Sequence, residues 1–419
     1  MNYFEYRNEE LYCEGVPVRQ IARAVGTPLY IYSHKTFERH FTVFDRAFED
    51  VPHLVCYSCK ANANGALLRT VARLGGGVDI VSGGELYKAL KAGIPHNRIV
   101  FSGVGKTEEE LKDAIRADIR MINIESEGEL DLLKKLARRM KKTVPVSVRV
   151  NPEIDPKTHP YITTGLKKNK FGVLWAEARR LYGEISREKY LSPVGISSHI
   201  GSQIVELNPF MEAVMSLKSM AKELENMDIA ISMLDIGGGL GITYKDELPP
   251  HPEEYAKVVA REIKGTGLTL VLEPGRVVVG NSAIFVTKVL YVKQSPEKTF
   301  YIVDGAMNDL VRPSLYNAYH EIKPVKQDKG GVIQVDLVGP ICESGDFFAK
   351  DREMAELKAD DLLAIFGAGA YGYSMSSNYN ARRRAAEVLV RDEEFFVVRK
   401  RETFKDLVKG ESVPEFLEE

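Results

Sequence analysis

Short β-branched apolar runs alternate with longer amphipathic stretches through the middle of the chain, which is how parallel α/β folds read. Eight such runs fall at residues 53–60, 77–82, 98–103, 121–126, 145–151, 194–201, 231–239 and 268–275. Between them, stretches such as 108–116 and 127–139 repeat apolar residues at three- and four-residue spacing and predict helices. Eight strands, each followed by a helix, are the arithmetic of a (β/α)8, TIM-like barrel; an open doubly wound sheet also alternates but rarely needs eight units. After residue 283 the pattern changes. Residues 283–292, 299–303, 332–338, 361–366 and 395–399 read as strands with turns and only short helices between them, predicting a mainly antiparallel β domain of sandwich or barrel type. The expected division is a barrel over 26–283 and a β domain built from 1–25 and 284–419, the first 25–30 residues supplying a strand to it.

Each apolar run ends in side chains capable of chemistry: Lys60, Ser82-Gly83-Gly84-Glu85, Ser102, Glu125-Ser126, Arg149-Val150-Asn151, His199-Ile200-Gly201-Ser202, Gly237-Gly238-Gly239 and Glu273-Pro274-Gly275-Arg276. Barrel enzymes place their active sites at this C-terminal rim, on loops held by rigid strands. Wet loops account for Ser102 and Asn151. They do not account for a lysine, a histidine, a glycine cluster and an acid–arginine pair at the same ends.

Composition narrows the function. At 419 residues the chain exceeds the ~250–300 at which single cores stop growing. With 44% hydrophobic and 28% charged residues it is globular, not disordered. Lys and Arg number 57 against 59 Asp and Glu, so the net charge of -2 gives no bulk attraction to nucleic acid or anionic membrane. The start lacks a signal peptide's basic and apolar regions, and no uncharged apolar run reaches the ~18 residues of a membrane span. Four cysteines (Cys13, Cys56, Cys59 and Cys342) are too few for a disulfide framework, so a cytoplasmic location is expected.

Some motifs are refused. Gly105-Lys106-Thr107 lacks the earlier glycine of a P-loop, position 100 being valine; Thr107 with Glu110 reads as a helix-starting capping box. Gly237-Gly238-Gly239-Leu240-Gly241 has isoleucine at 242 where a dinucleotide fingerprint needs glycine. Cys56 and Cys59 read as core cysteines, and the eight histidines show no metal-type spacing, so no metal is expected.

Five segments converge on one chemistry. Desolvation at the end of an apolar strand favours the neutral, nucleophilic amine of Lys60. His199 offers a flat ring followed by small residues, and the glycines after Asp235 can expose successive backbone N–H groups as an anion nest. Glu273 and Arg276 flank a Pro-Gly turn, and Gly339-Pro340-Ile341-Cys342-Glu343-Ser344-Gly345-Asp346 forms a turn in the β domain. Pyridoxal phosphate asks for all of these at once: a lysine for the Schiff base, a carboxylate at the pyridine nitrogen, an anion nest for the phosphate and a flat group against the ring.

From about Gly26 to Val390 the sequence resembles the barrel-fold (fold-type III) pyridoxal-phosphate decarboxylases, and within them the diaminopimelate decarboxylase branch. The resemblance implies that Lys60 is the Schiff-base lysine, that His199 stacks on the cofactor ring and that Glu273 partners the pyridine nitrogen. Ser202, Gly238, the Gly275-Arg276 turn and Tyr371 would lie around the phosphate, and Asp79 would support the site. The branch is suggested by Arg149-Val150-Asn151-Pro152, Thr164-Gly165 with Lys170-Phe171-Gly172, Met307-Asn308-Asp309-Leu310-Val311-Arg312-Pro313 with Tyr316, and Cys342-Glu343-Ser344-Gly345-Asp346. There the resemblance implies that Arg276, Arg312 and Tyr316, with Tyr371 beside them, hold substrate, that Glu343 reads the distant ammonium, and that Cys342 donates a proton. It also implies a homodimer in which Cys342 and Glu343 reach the site of the other subunit. Two departures, Gly305-Ala306 for Ala-Gly and Ser197 for histidine or cysteine, touch no proposed role.

The implied reaction is decarboxylation of meso-diaminopimelate to L-lysine, reprotonated from Cys342. Rival readings are a relative acting on ornithine, arginine or carboxynorspermidine, alanine racemase, and a non-catalytic homologue without cofactor. Arg312-Pro313 with Tyr316 argues against a substrate whose far end has no carboxylate, and a racemase needs a second base rather than a Cys-Glu pair. Residues 153–168, after the fifth run, read either as a lid or as a passive loop.

Overall fold

The computed structural model describes residues 2–155, 170–327 and 330–417; Thr164-Gly165 and most of the loop 153–168 lie outside the described residues. The chain forms two compact units, Phe37–Gly280 and a second made of Met1–Thr36 with Asn281–Glu419.

In the first unit, eight parallel strands (His53–Ser58, Gly77–Ile80, Ile99–Phe101, Met121–Ile124, Val144–Arg149, Leu191–Ser197, Met233–Asp235 and Thr269–Leu272) close into a barrel, as their spacing predicts. The last pairs with the first, Leu272 opposite Val55. The helices between them start where side chains cap the free N–H groups: Asn64, Ser82 and Ser126 accept from Ala66, Glu85 and Glu129. Thr107 and Glu110 form the reciprocal capping box, so Gly105-Lys106-Thr107 is a helix start.

Side chains two apart on a strand share a face, and this sorts the barrel interior into layers. Cys56, Val100, Met121, Met233 and Val271 make a buried apolar cluster. Two residues further along come Ser58, Ser102, Asn123, Asp235 and Glu273; with Asp79, Ser147 and Ser197 they bury one polar side chain from each strand or its immediate end. The C-terminal rim of this barrel therefore rests on a polar floor over an apolar one.

The second unit holds a nine-stranded sheet. Its central run is Phe347–Ala355, Val332–Val338, Thr299–Val303, Ala283–Gln294, Leu29–Ser33, Ala386–Arg391 and Glu394–Arg399; Leu362–Ile365 pairs with Ala283–Gln294 and with Ile322–Pro324. Pairing is antiparallel except between Thr299–Val303 and Val332–Val338 and between Leu29–Ser33 and Ala386–Arg391. Residues before 25 form instead a small antiparallel sheet of Phe4–Arg7, Glu10–Cys13 and Val16–Pro17. The strand given to the large sheet is Leu29–Ser33, buried at all five positions, and it moves the division of the chain to Thr36/Phe37, past the expected 25/26. Among the described residues no helix is long and apolar enough to cross a membrane.

Glu14 ties this unit's distant segments. Its buried carboxylate accepts from Ser33 Oγ at 2.8 Å, Lys35 N at 2.9 Å and Asp392 N at 2.7 Å. Removing it leaves two backbone donors without their acceptor, so Glu14→Ala is expected to destabilise the protein by about 3 kcal/mol, read as a lower urea midpoint. An unchanged midpoint would show that water replaces the carboxylate without cost.

Candidate active site

Lys60 lies in the 3-10 turn Cys59–Ala61, directly after the first barrel strand. Its Nζ donates to Asp79 Oδ2 at 2.7 Å. Ser58 Oγ donates to the same oxygen at 3.1 Å and lies 3.0 Å from the Glu273 carbonyl. Asp79 is fully buried, and its Oδ1 has no hydrogen-bond partner among the described residues. Strand register explains the meeting: Ser58 pairs directly with Asp79 on the neighbouring strand.

At the end of the neighbouring strand the carboxyl of Glu273 is buried and accepts from Ser102 Oγ at 3.3 Å. Asn123 Nδ2 donates to Ser102 Oγ at 3.1 Å and to Asp235 Oδ2 at 3.1 Å, and Asp235 Oδ1 accepts from Gly237 N at 2.9 Å. Burial, then the charges of Asp235 and Asp79, push the Glu273 carboxyl well above the usual range, against Lys60 and Arg149. Burial also raises Asp235. The two carboxyls thus compete for a proton, since two adjacent buried acids cannot both ionise cheaply.

His199 follows the sixth strand, and its Nδ1 accepts from Gly238 N at 3.2 Å. Burial, with the charges of Lys60 and Arg149, holds its pKa well below 6.5, so the ring is a neutral imidazole. The glycines here are required. A Cβ on Gly237, whose φ is +66°, would come within 2.6 Å of His199 Nδ1, and one on Gly238 within 2.1 Å of the Glu273 carbonyl. A Cβ on Gly275 would meet Ala61 and Ser58 near 3 Å. Arg276, buried at the head of the turn Arg276–Val279, donates to Ser202 Oγ at 3.3 and 3.1 Å and to Tyr244 OH at 2.8 Å. The loops carrying Ser202 and Gly239 are bonded together through Ile204 N to Gly239 O at 2.9 Å.

Lys60, Asp79, His199, Ser202, Gly238, Glu273, Gly275 and Arg276 thus all belong to the barrel unit, at the C-terminal ends of its strands. Arg312, Tyr316, Cys342, Glu343 and Tyr371 belong to the β unit. There, Ser314 Oγ donates to Gly345 O at 2.6 Å and Met307 N to Asp346 Oδ1 at 2.7 Å, joining the Arg312–Tyr316 helix to the turn that carries an exposed Cys342 and Glu343. Tyr379 OH donates to Glu343 Oε2 at 2.8 Å, and Cys342 N to Asn380 Oδ1 at 3.2 Å. Tyr371 has a left-handed φ of 56°.

The residues fit pyridoxal phosphate: an amine on a buried carboxylate, a proton-holding acid at the end of the neighbouring strand, a neutral ring, and a cation with a serine beside glycines that admit no side chain. Sequence reading gave no site role to several parts. Asn123, Ser147, Ser197 and Asp235 complete the polar floor, and their signal was the inward period of two at each strand end. Arg149 Nη1 donates to Glu125 Oε1 at 2.9 Å, and Lys106 Nζ to Glu129 Oε1 at 2.7 Å, both buried; nothing short of the fold pairs them. Cys56 and Cys59 are buried and free, Cys59 lying in the turn after the strand.

A family model described as "Pyridoxal-dependent decarboxylase, pyridoxal binding domain" matches residues 34–280, so barrel and site define a pyridoxal-phosphate-dependent carboxy-lyase. The diaminopimelate decarboxylase of Aquifex aeolicus is 48% identical over 408 residues, covering 97% of each chain. Solved structures of diaminopimelate decarboxylase with L-lysine are similar: that from Helicobacter pylori has a TM-score of 0.91 at 41% identity over 93% of this chain and 98% of its own. That from M. jannaschii has 0.94 at 38% identity over 99% and 98%. The chain belongs to the diaminopimelate decarboxylase family.

The Glu273 carboxyl gives a pH signature. Its folded pKa is raised, so the cofactor-free folded protein binds a proton that the unfolded chain releases; that contribution is full below the unfolded value and lost as pH rises through the folded one. Cofactor-free Glu273→Gln is therefore expected to lose less thermal stability than the parent between about pH 5 and pH 9. Parallel melting curves across that range would show that Glu273 is not the proton-holding group.

Proposed function

We propose that the protein decarboxylates meso-diaminopimelate to L-lysine and carbon dioxide, the last step of lysine biosynthesis. The observation that carries this is near-full-length identity of almost half to diaminopimelate decarboxylase, over a rim that supplies the residues the chemistry needs. The structures of the relatives with L-lysine, the product of this reaction, support it.

Bound pyridoxal phosphate supplies the electron sink that stabilises the carbanion left when carbon dioxide departs. Lys60, oriented by Asp79, is the amine that anchors it, and Glu273 holds a proton toward the pyridine nitrogen. Asp235 beside Glu273 disfavours a second charge there and so keeps that proton available. His199 supplies a flat neutral face; a neutral ring does not compete with the cofactor for electrons. Ser202, Gly238, Gly275, Arg276 and Tyr371 hold the phosphate. Arg276 and Arg312, with Tyr316 and Tyr371, hold substrate, Arg312 taking the distal carboxylate and Glu343 the distal ammonium. Cys342 returns a proton to the α-carbon. An exposed thiol and carboxylate on one turn of the β unit suit a homodimer in which each copy completes the other's site. We place the enzyme in the cytoplasm, where its thiols stay reduced.

The test is carbon dioxide release with added pyridoxal phosphate, offering meso-diaminopimelate, ornithine, arginine and lysine in turn. Turnover confined to diaminopimelate is expected, with Lys60→Ala losing both turnover and the visible absorbance of lysine-bound cofactor. Turnover of ornithine or arginine instead would overturn the reading of the substrate's far end, and activity retained by Lys60→Ala would remove that lysine's role.

A further inference from the structure

We propose that His320 is the positioning residue that aims Arg312 at the distal carboxylate of the substrate; the inference rests on the reading of Arg312 given above. Arg312 Nη1 lies 2.8 Å from His320 Nε2, and His320 Nδ1 lies 2.7 Å from the Phe366 carbonyl. A guanidinium only donates, and a carbonyl only accepts, so both partners dictate the same tautomer: Nδ1 carries the proton and Nε2 receives the Arg312 N–H. The imidazole is fully buried and Arg312 nearly so. The histidine's backbone is held as well. Arg352 Nη1 donates to His320 O at 3.1 Å, Phe366 N to Glu321 O at 2.8 Å, and Ile322 pairs with Ile365.

The chemistry of the partner matters. A carboxylate beside Arg312 would orient the fork equally well but would neutralise it and compete with the substrate's own carboxylate. A neutral acceptor orients the guanidinium without neutralising it. A preoriented arginine also loses less side-chain freedom when the substrate arrives. His320 therefore acts on affinity for one end of the substrate and touches neither the cofactor nor the reacting atoms.

Two variants separate this role from plain structural support. His320→Asn keeps an amide donor toward Phe366 O but stops short of Arg312, whereas His320→Gln carries an amide oxygen out to it. In the holoenzyme, His320→Asn is expected to raise KM for meso-diaminopimelate about tenfold or more, with kcat falling far less. Inhibition by L-lysine, which keeps a carboxylate, should weaken in parallel. Inhibition by cadaverine, which has none, should not change, and His320→Gln should restore most of the loss. Arg312→Gln is measured beside them. If it raises KM while His320→Asn does not, the positioning role is overturned and Arg312 keeps its place. If Arg312→Gln leaves KM unchanged, the carboxylate reading falls and this inference with it. Equal weakening of L-lysine and cadaverine in His320→Asn would mean general damage and overturn the proposal too.

Discussion

The structure depends on keeping three carboxyls, Asp79, Asp235 and Glu273, inside a closed barrel. Isolated buried carboxylates are costly, and the fold meets this cost by compensation at each position. Asp79 has the Lys60 ammonium and the Ser58 hydroxyl. Asp235 has the Gly237 amide and Asn123. Glu273 has the Ser102 hydroxyl at 3.3 Å and a shared hydrogen bond with Asp235, and burial presses it to hold a proton. The amine and the proton-holding acid are thus two answers to the same electrostatic problem, set at the ends of two neighbouring strands of one barrel.

That problem explains the layering. An apolar cluster formed by Cys56, Val100, Met121, Met233 and Val271 fills the barrel below, and its tight packing needs no hydrogen bonds. A polar floor above it must satisfy itself internally, which is why serines and an asparagine link the acids across strands: Ser147 Oγ, for example, reaches Ser197 Oγ at 3.0 Å. The rim residues Lys60, His199 and Arg276 sit on turns that begin directly after strand ends, so strand register fixes where those turns start.

Much of this was legible in the sequence, for reasons particular residues make plain. A strand buried on both faces reads as a continuous apolar run, so all eight barrel strands could be counted, and abrupt polar endings marked the rim. The β unit was harder. Phe347–Ala355 carries Lys350, Asp351, Arg352 and Glu353 in succession and does not read as a strand; only pairing with Val332–Val338 makes it one. Leu29–Ser33 fell within the expected barrel bounds of 26–283, yet its partners lie more than two hundred residues away at Ala283–Gln294 and Ala386–Arg391. Single candidate residues could be named where their chemistry is unusual for the position, as with Lys60 and Glu273. Residues such as Asn123, Asp235 and His320 carry no such mark. Their significance is relational: it exists only once another strand or turn supplies the partner.

The charge arrangement also bears on how the barrel site changes when a ring nitrogen is brought to Glu273. Before that, Asp79 is balanced by Lys60, and Arg149 by Glu125, so the Asp235–Glu273 pair is left to hold its own proton. A basic ring nitrogen held against Glu273, as proposed for the bound cofactor, would be the group with which that proton is shared. The carboxylate left behind would then be ionised beside a cation, which offsets the repulsion from Asp235. The same burial that makes Glu273 an unfavourable anion alone makes it a strong partner for a protonated ring, because the low dielectric that raises its pKa also strengthens the pairing. The polar floor holds Asp235 to Asn123 and the Gly237 amide, which leaves Glu273, with its longer bond to Ser102, as the acid suited to that proposed pairing.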